Sequence, residues 1–282
     1  MKLSVITINY NNSKGLERTI QSVVSQTRRD DLEYIVVDGL SNDGSFEVIN
    51  RYESQIDKWI SEPDKGIYNA MNKGISMATG EYCLFLNSAD VFCSPKSIER
   101  IIDKHWYADV VQCDIFYQSA NNKHFLTRVF SPDKITYYQF LKDSIYHQAS
   151  FIKTSMLKEE GYCEDYRMVS DWAYYFKKLI VEGRTYQHIH IPITLFDMNG
   201  VSNSGNPRDA IERRDFLLQY FSEQILDRII EQKEFECVVE STYMCHQERA
   251  LLNFCRRVFS NIFYRLYYYP KMYWDNIKYI GR

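Results

Sequence analysis

Residues 3–12 read Leu-Ser-Val-Ile-Thr-Ile-Asn-Tyr-Asn-Asn, an apolar run that stops on a polar cluster. The pattern recurs twice. Tyr34-Ile35-Val36-Val37 leads into the polar stretch 38–45, and Tyr82-Cys83-Leu84-Phe85-Leu86 leads into Asn87-Ser88-Ala89-Asp90. Short runs rich in Val, Ile, Leu and aromatic residues read as strands. Between the first two, Leu16, Ile20, Val23 and Val24 recur at helical spacing behind Ser13, which reads as the N-cap. Ile67, Ala70, Met71, Gly74, Ile75 and Ala78 mark a second helix that Gly80 ends. This order predicts a layered α/β fold, in which ligands bind beyond the carboxyl ends of the strands. The three polar clusters fall at those ends.

The strand-end residues have chemistry of their own. Asp38 directly follows Val36-Val37, where a carboxylate either meets a ligand N–H, such as that of a uracil, or opens a turn with Gly39. Asp90 either holds a divalent cation bridging a diphosphate or belongs to a helix cap or turn before Pro95. The segment 62–74, Glu-Pro-Asp-Lys-Gly-Ile-Tyr-Asn-Ala-Met-Asn-Lys-Gly, places Asp64, Lys65, Asn69, Asn72 and Lys73 around a helix start, which suits an anionic ligand. The alternative for the lysines is plain solvation.

These residues carry a resemblance. Val5-Ile6-Thr7-Ile8-Asn9-Tyr10-Asn11, Gln21-Ser22-Val23-Val24-Ser25-Gln26-Thr27, Val37-Asp38-Gly39, Ser41-Asn42-Asp43-Gly44-Ser45, the segment 62–74 and Ala78-Thr79-Gly80-Glu81 resemble family 2 glycosyltransferases over residues 2–205. Within the family the chain looks like bacterial enzymes that build O-antigens, capsules and exopolysaccharides. The resemblance implies a GT-A fold, with a mostly parallel central sheet flanked by helices, and inverting transfer from a nucleotide-activated sugar. The donor in such enzymes is most often a UDP-sugar with Mn or Mg, and the acceptor a lipid-linked saccharide. By position, Thr7, Asn9 and Tyr10 would line the nucleoside pocket and Asp38 would bind the base. Asp64, Lys65, Asn72, Lys73, Asn87, Ser88 and Asp90 would complete the donor side, with Asp90 holding the metal. Asn87 and Ala89 depart from the fullest Asp-x-Asp pattern. Asp171, in Ser170-Asp171-Trp172, would be the base that takes the acceptor proton, the alternative being a helix cap. His147, Gln148 and Trp172 would lie on the acceptor side, and Gly200-Val201-Ser202 in a closing loop.

The domain expectation is a catalytic domain over 1–205, its nucleotide-sugar half at 1–110 and acceptor half at 111–205, then a helical region over 206–282. Further strands are expected at 109–117, 125–130 and 147–152, with a turn at Asn121-Asn122, a loop and short helix over 131–144, a helix at 172–181 and a loop at 199–207. His188 and His190 alternate on a strand-like run and, without nearby Cys or carboxylate ligands, read as surface histidines.

Composition bounds the rest. With 282 residues and 25% charged side chains the chain has ordinary globular content, although 23 Tyr and 16 Phe are many. Seven cysteines without a CxxC pair, and no secretory leader, predict free thiols in the cytoplasm. The net charge of −3 hides a split: residues 249–282 carry +6 and the remainder −9. Leu251, Cys255, Val258, Ile262 and Leu266 form one helical face there, followed by Tyr267-Tyr268-Tyr269, Tyr273 and Trp274. Such a basic aromatic helix either lies peripherally on the inner membrane face or packs on the catalytic domain. The acidic remainder argues against nucleic acid as a partner. The rival function is a catalytically weak sugar-nucleotide-binding or scaffold protein of a polysaccharide assembly complex.

Overall fold

The computed structural model describes residues 2–118, 126–129, 131–136, 140, 144–197 and 207–228. The chain divides into two compact units, Met1–Asp209 and Ala210–Arg282. The first opens with three parallel strands, β1 (Leu3–Asn9), β2 (Leu32–Asp38) and β3 (Lys58–Ser61), and with helices α1 (Ser13–Val24), α2 (Ser45–Tyr52) and α3 (Ile67–Met77). β4 (Tyr82–Phe85) pairs in parallel with the other side of β1. There follow β5 (Val91–Phe92), α4 (Glu99–Ile102), β6 (Val110–Gln118), β7 (Leu126–Val129), β8 (Ser150–Lys153), α5 (Thr154–Glu159), α6 (Ser170–Tyr175) and β9 (Tyr186–Phe196).

Among the described residues the sheet has nine strands in the order β3-β2-β1-β4-β8-β6-β9-β5, with β7 on β6. The expected parallel arrangement holds for β3-β2-β1-β4. Beyond it the sheet is mixed: β8 runs antiparallel to β4 and β6, β9 parallel to β6, and β5 antiparallel to β9. Every residue of β1 and β2 is buried, because helices cover both faces. Leu3, Val5, Tyr34 and Val36 pack with Leu16, Ile20, Val23 and Ile49 of α1 and α2. On the other face α3 comes so close that a Cβ on Gly74 would sit 2.4 Å from Ile6 Cγ2.

At the amino end of the strands the buried Glu33 ties four segments together. It accepts from Ser4 Oγ on β1, Lys58 Nζ on β3, and the amide and hydroxyl of Thr79 before β4. Burial would raise its pKa, but the hydrogen bonds from Lys58, Ser4 and Thr79 prevail and hold it at about 2.

Several expectations shift in detail. Asn12 is the cap of α1, its side chain accepting from Gly15 N, so Ser13 is the first helical residue. The run after Tyr146 begins as a 3₁₀ turn (His147–Ala149) before β8. The helix expected at 172–181 starts at Ser170 as α6 and continues as a π-helix over Phe176–Val181. The turn at Asn121-Asn122, most of the loops at 131–144 and 199–207, and the tail at 249–282 lie outside the described residues. In the second unit α7 (Arg208–Leu217) continues past the boundary, and Arg214 pairs with Glu223 and Asp227. No described helix is long and apolar enough to cross a membrane. Among the described residues Cys83, Cys93, Cys113 and Cys163 are free thiols.

Candidate active site

The carboxyl ends of β1, β2 and β3 put Asn9, Asp38 and Ser61 side by side in register. Asp38 is fully buried, and its two oxygens accept from Asn9 Nδ2 (2.8 Å), Ser41 Oγ (2.6 Å), Ser41 N (3.0 Å) and Ser61 Oγ (2.7 Å). A carboxylate so fully committed needs no ligand to offset its burial. Ser88 Oγ donates to Asn9 Oδ1, which extends the row to the loop after β4.

In front of this row lies a cleft of about 810 Å³, a size suited to a nucleotide-like ligand. Its walls are Ile8, Asn9, Tyr10 and Asn12 from β1 and its end, Gly39 and Leu40 after β2, residues 63–67 and Ala70 at the start of α3, Asn87, Ser88 and Arg167. Tyr10 is 71% exposed and Leu40 58%. Leu40 holds φ +57°, a left-handed backbone that a branched side chain rarely adopts. Gly66, at φ +134°, caps α3 without a side-chain hydrogen bond, so the helix start presents backbone N–H groups beside Lys65 and Arg167.

Behind Asn87 runs a chain of polar groups. Asn87 Nδ2 meets His147 Nε2 at 3.2 Å, His147 Nδ1 meets Asp171 Oδ2 at 3.1 Å, and Tyr68 OH of α3 donates to Asp171 Oδ1 at 2.9 Å. Burial pushes the Asp171 carboxyl up, but the hydrogen bond and charge of His147 and the Tyr68 hydroxyl prevail and hold its pKa below the ordinary value. Burial alone would lower the pKa of His147; Asp171 raises it overall. An imidazolium donates from both nitrogens, and turning the Asn87 amide over would set its Oδ1, buried without a partner, to accept from Nε2.

Asp90 closes the loop. It is 5% exposed, and burial pushes its pKa up to about 7. Asp197 N donates to its Oδ1 (2.9 Å), and the loop is anchored on α1, where Thr19 Oγ1 donates to Asp90 O and accepts from Ala89 N. Gln148 hydrogen-bonds the Asp90 side chain and leaves its own Oε1 buried without a partner. As placed, the Gln148 amide donates to Asp90; turned over, it would set Oε1 beside the desolvated carboxylate, a hard, oxygen-only pair of the kind a divalent cation such as Mn or Mg takes.

A cleft at strand ends with a buried carboxylate beside it is common to many enzymes. The comparison that decides among them is a match of residues 4–160 to the family model described as "Glycosyl transferase family 2". The chain belongs to that family. An uncharacterized glycosyltransferase of Mycobacterium tuberculosis is 34% identical over 209 residues, covering 73% of this chain and 78% of the relative. A PGL/p-HBAD biosynthesis glycosyltransferase of Mycobacterium bovis is 26% identical over 218 residues, covering 74% and 82%. Among solved structures, S. aureus TarS 1-349 in complex with UDP-GlcNAc superposes with a TM-score of 0.60 at 18% identity, over 83% of this chain and 71% of that one. That likeness establishes a shared GT-A-type fold.

Within this glycosyltransferase the residues expected on the donor side divide. Asn9, Tyr10, Asp64, Lys65, Asn87 and Ser88 line the cleft. Thr7 does not: it is fully buried and donates to Leu86 O, tying β1 to the end of β4. Asp38 builds the wall rather than facing the cleft. Asn72 turns to the other side of α3, bonded to the backbone of Tyr162 and to Glu164. Lys73 is ion-paired with Asp64 and Glu62, so it positions the Asp64 loop. Asp90 sits behind the cleft wall, outside its lining. Of the residues expected on the acceptor side, His147 contacts Asp171 and Gln148 contacts Asp90, whereas Trp172 is buried against Phe140 and Phe176 and belongs to the core. Sequence reasoning missed Tyr68, Arg167 and Asp197. Tyr68 lay inside the quoted segment 62–74, one residue from the helix start; nothing in their own neighbourhoods marked the other two.

Proposed function

We propose that this glycosyltransferase moves a hexosyl or N-acetylhexosaminyl group, with inversion, from a UDP-sugar to a lipid-linked saccharide acceptor in surface polysaccharide assembly. The observation that carries the reading is the Asp171 carboxylate, held ionised between Tyr68 and His147 and linked through Asn87 to the cleft. In the reaction the acceptor hydroxyl oxygen bonds to the anomeric carbon as its proton passes to Asp171. The bond from that carbon to the diphosphate oxygen breaks, and its electron pair leaves with the nucleotide. The start of α3, Lys65 and Arg167 supply positive potential for that charge. Tyr10 offers an exposed ring for the base to stack on. Asp90 and Gln148 would hold the cation, which when bound neutralises diphosphate charge. The UDP-GlcNAc complex of TarS supports the uridine donor, and a relative acting in PGL/p-HBAD biosynthesis supports a biosynthetic role. The basic aromatic tail, +6 over residues 249–282, supports peripheral contact with the inner membrane face, where lipid-linked acceptors reside.

The test is calorimetric titration with UDP, with and without Mn, followed by donor turnover with and without saccharide acceptors. Metal-enhanced UDP binding and acceptor-dependent release of UDP are expected. Binding without any turnover across an acceptor panel would favour the scaffold reading, and absence of UDP binding would overturn the uridine donor.

A further inference from the structure

Away from the cleft, near the start of β9, a second group of ligating side chains converges. β9 leaves its regular register with β6 there: Ile189 pairs with Cys113 but Pro192 with Asp114, so His190 and Ile191 sit in a bulge. Bulges re-aim side chains, and the rings of His188 and His190 lie with centroids 4.2 Å apart. Asp133 reaches both. Its Oδ1 is 2.9 Å from His188 Nδ1 and 2.9 Å from His190 Nε2. The reading of these histidines as surface residues without carboxylate neighbours is therefore corrected: the His188 side chain is 2% exposed, and its other nitrogen, Nε2, lies 2.7 Å from Oδ1 of the fully buried Asp114.

The Asp114 contact fixes the chemistry of His188. A carboxylate at Nε2 draws the ring proton there, and the neutral ring then points the Nδ1 lone pair at Asp133. Two lone pairs cannot meet at 2.9 Å unless a positive charge lies between them, either a second proton or a metal ion. A buried carboxylate behind the distal nitrogen of a histidine is also the arrangement that orients metal-binding imidazoles. The candidate ligand atoms of Asp133, His188 and His190 lie within 4.8 Å of one another. Tetrahedral zinc, with bonds of about 2.0–2.1 Å, wants its ligand atoms about 3.3 Å apart, which small side-chain rotations supply. Two imidazoles and one carboxylate leave a fourth position open to solvent, since the side chains of His190 and Asp133 are 63% and 70% exposed. Nitrogen ligands favour zinc-class ions over Mg or Mn, so this donor set differs in kind from the oxygen set at Asp90.

We propose that Asp133, His188 and His190 form a zinc-class metal site, with Asp114 as the carboxylate that orients His188. Bound metal pins the segment carrying Asp133 to β9. The site is separate from the proposed cation site at Asp90: Asp197, which meets Asp90, follows the far end of β9, at most about 23–30 Å along the strand at about 3.3 Å per residue.

The experiment uses the full chain, stripped with chelator and titrated with Co²⁺ and then Zn²⁺. The expected result is about one equivalent of Co²⁺ with intense visible bands of low coordination number and no thiolate charge-transfer band. Zn²⁺ displaces it and raises the melting temperature. His190→Ala and Asp133→Ala, both at exposed positions, keep the metal-free melting temperature and weaken Co²⁺ binding by at least about tenfold. Mg²⁺ in excess does not compete. Equal binding by wild type and both variants would place the metal elsewhere, for example on thiols, and overturn the proposal. So would failure of the stripped protein to take up Co²⁺ at tenfold molar excess.

Discussion

In the proposed reaction Asp171 is the base, and its neighbours Tyr68 and His147 set its strength. Replacing it with Asn removes the proton acceptor but keeps the shape, so turnover with acceptor should fall by about 10²–10⁴-fold while UDP affinity stays within about twofold. Undiminished turnover in Asp171→Asn would remove it from the chemistry. Tyr68→Phe takes away one hydrogen bond that stabilises the ionised carboxylate. The Asp171 pKa then rises, and because the base works only when ionised, the acid limb of the kcat/KM profile should move to higher pH. A limb that stays in place or moves down would show that the Tyr68 hydrogen bond does not tune this group. Leu40 presents a different balance, since a strained backbone and an exposed apolar side chain are retained together at the mouth of the cleft. Leu40→Gly should relieve strain, leaving stability unchanged or higher by about 1 kcal/mol, while weakening UDP binding in calorimetry. A loss of stability with affinity intact would reverse that assignment.

At the scale of elements, α3 is the piece that joins fold to site. Its start borders the cleft, Tyr68 in its first turn holds Asp171, and Gly74 in its third turn permits contact with β1. Gly74→Ala forces a methyl into Ile6 and lifts the helix. Urea unfolding should show a loss of about 1–3 kcal/mol, and KM for the donor should rise with it. The strands that point at the site were legible because β1, β2 and β4 are apolar runs stopped by polar residues, and α1 and α3 because their apolar residues keep helical spacing. β3 was not, because Lys58–Ser61 is a half-buried edge strand with a charged first residue, and β5 has two residues. β9 was only partly visible, as its alternation breaks at the bulge before Pro192. The same limit applies to the site. Asn87, Asp90 and Asp171 announce themselves at element ends, while Arg167 and Asp197 acquire their places only through contacts across about 100 residues of chain. Thr7, Asn72, Lys73 and Trp172 sit in the right motifs yet serve the scaffold, because a motif records which residues are near a site and not which way each side chain turns.

For the whole molecule, the amino-end hub at Glu33 sets an acid limit. Its folded pKa of about 2 lies below the unfolded value near 4.5, so its contribution is complete above about pH 4.5 and is lost as pH falls toward 2. Glu33 is buried while Lys58 is 37% exposed, so with solvent screening of that partner Glu33→Gln should cost about 2 kcal/mol at neutral pH and flatten the loss of stability between pH 4.5 and 2 in urea titrations. An unchanged acid profile in the variant would assign that loss to other carboxylates. The strand order carries a further consequence, for synthesis. β4 is apolar and fully buried, and among the described residues its edge away from β1 pairs with β8, which follows roughly 65 residues later. At about 5–20 residues per second, a ribosome leaves that edge bare for roughly 3–13 s while the parallel half is already able to form. During that interval the nascent chain displays an unpaired strand that any neighbouring chain can extend. Yield from rapid heterologous expression should therefore depend on translation speed between residues 86 and 150, and on chaperones that shield the β4 edge until β8 emerges.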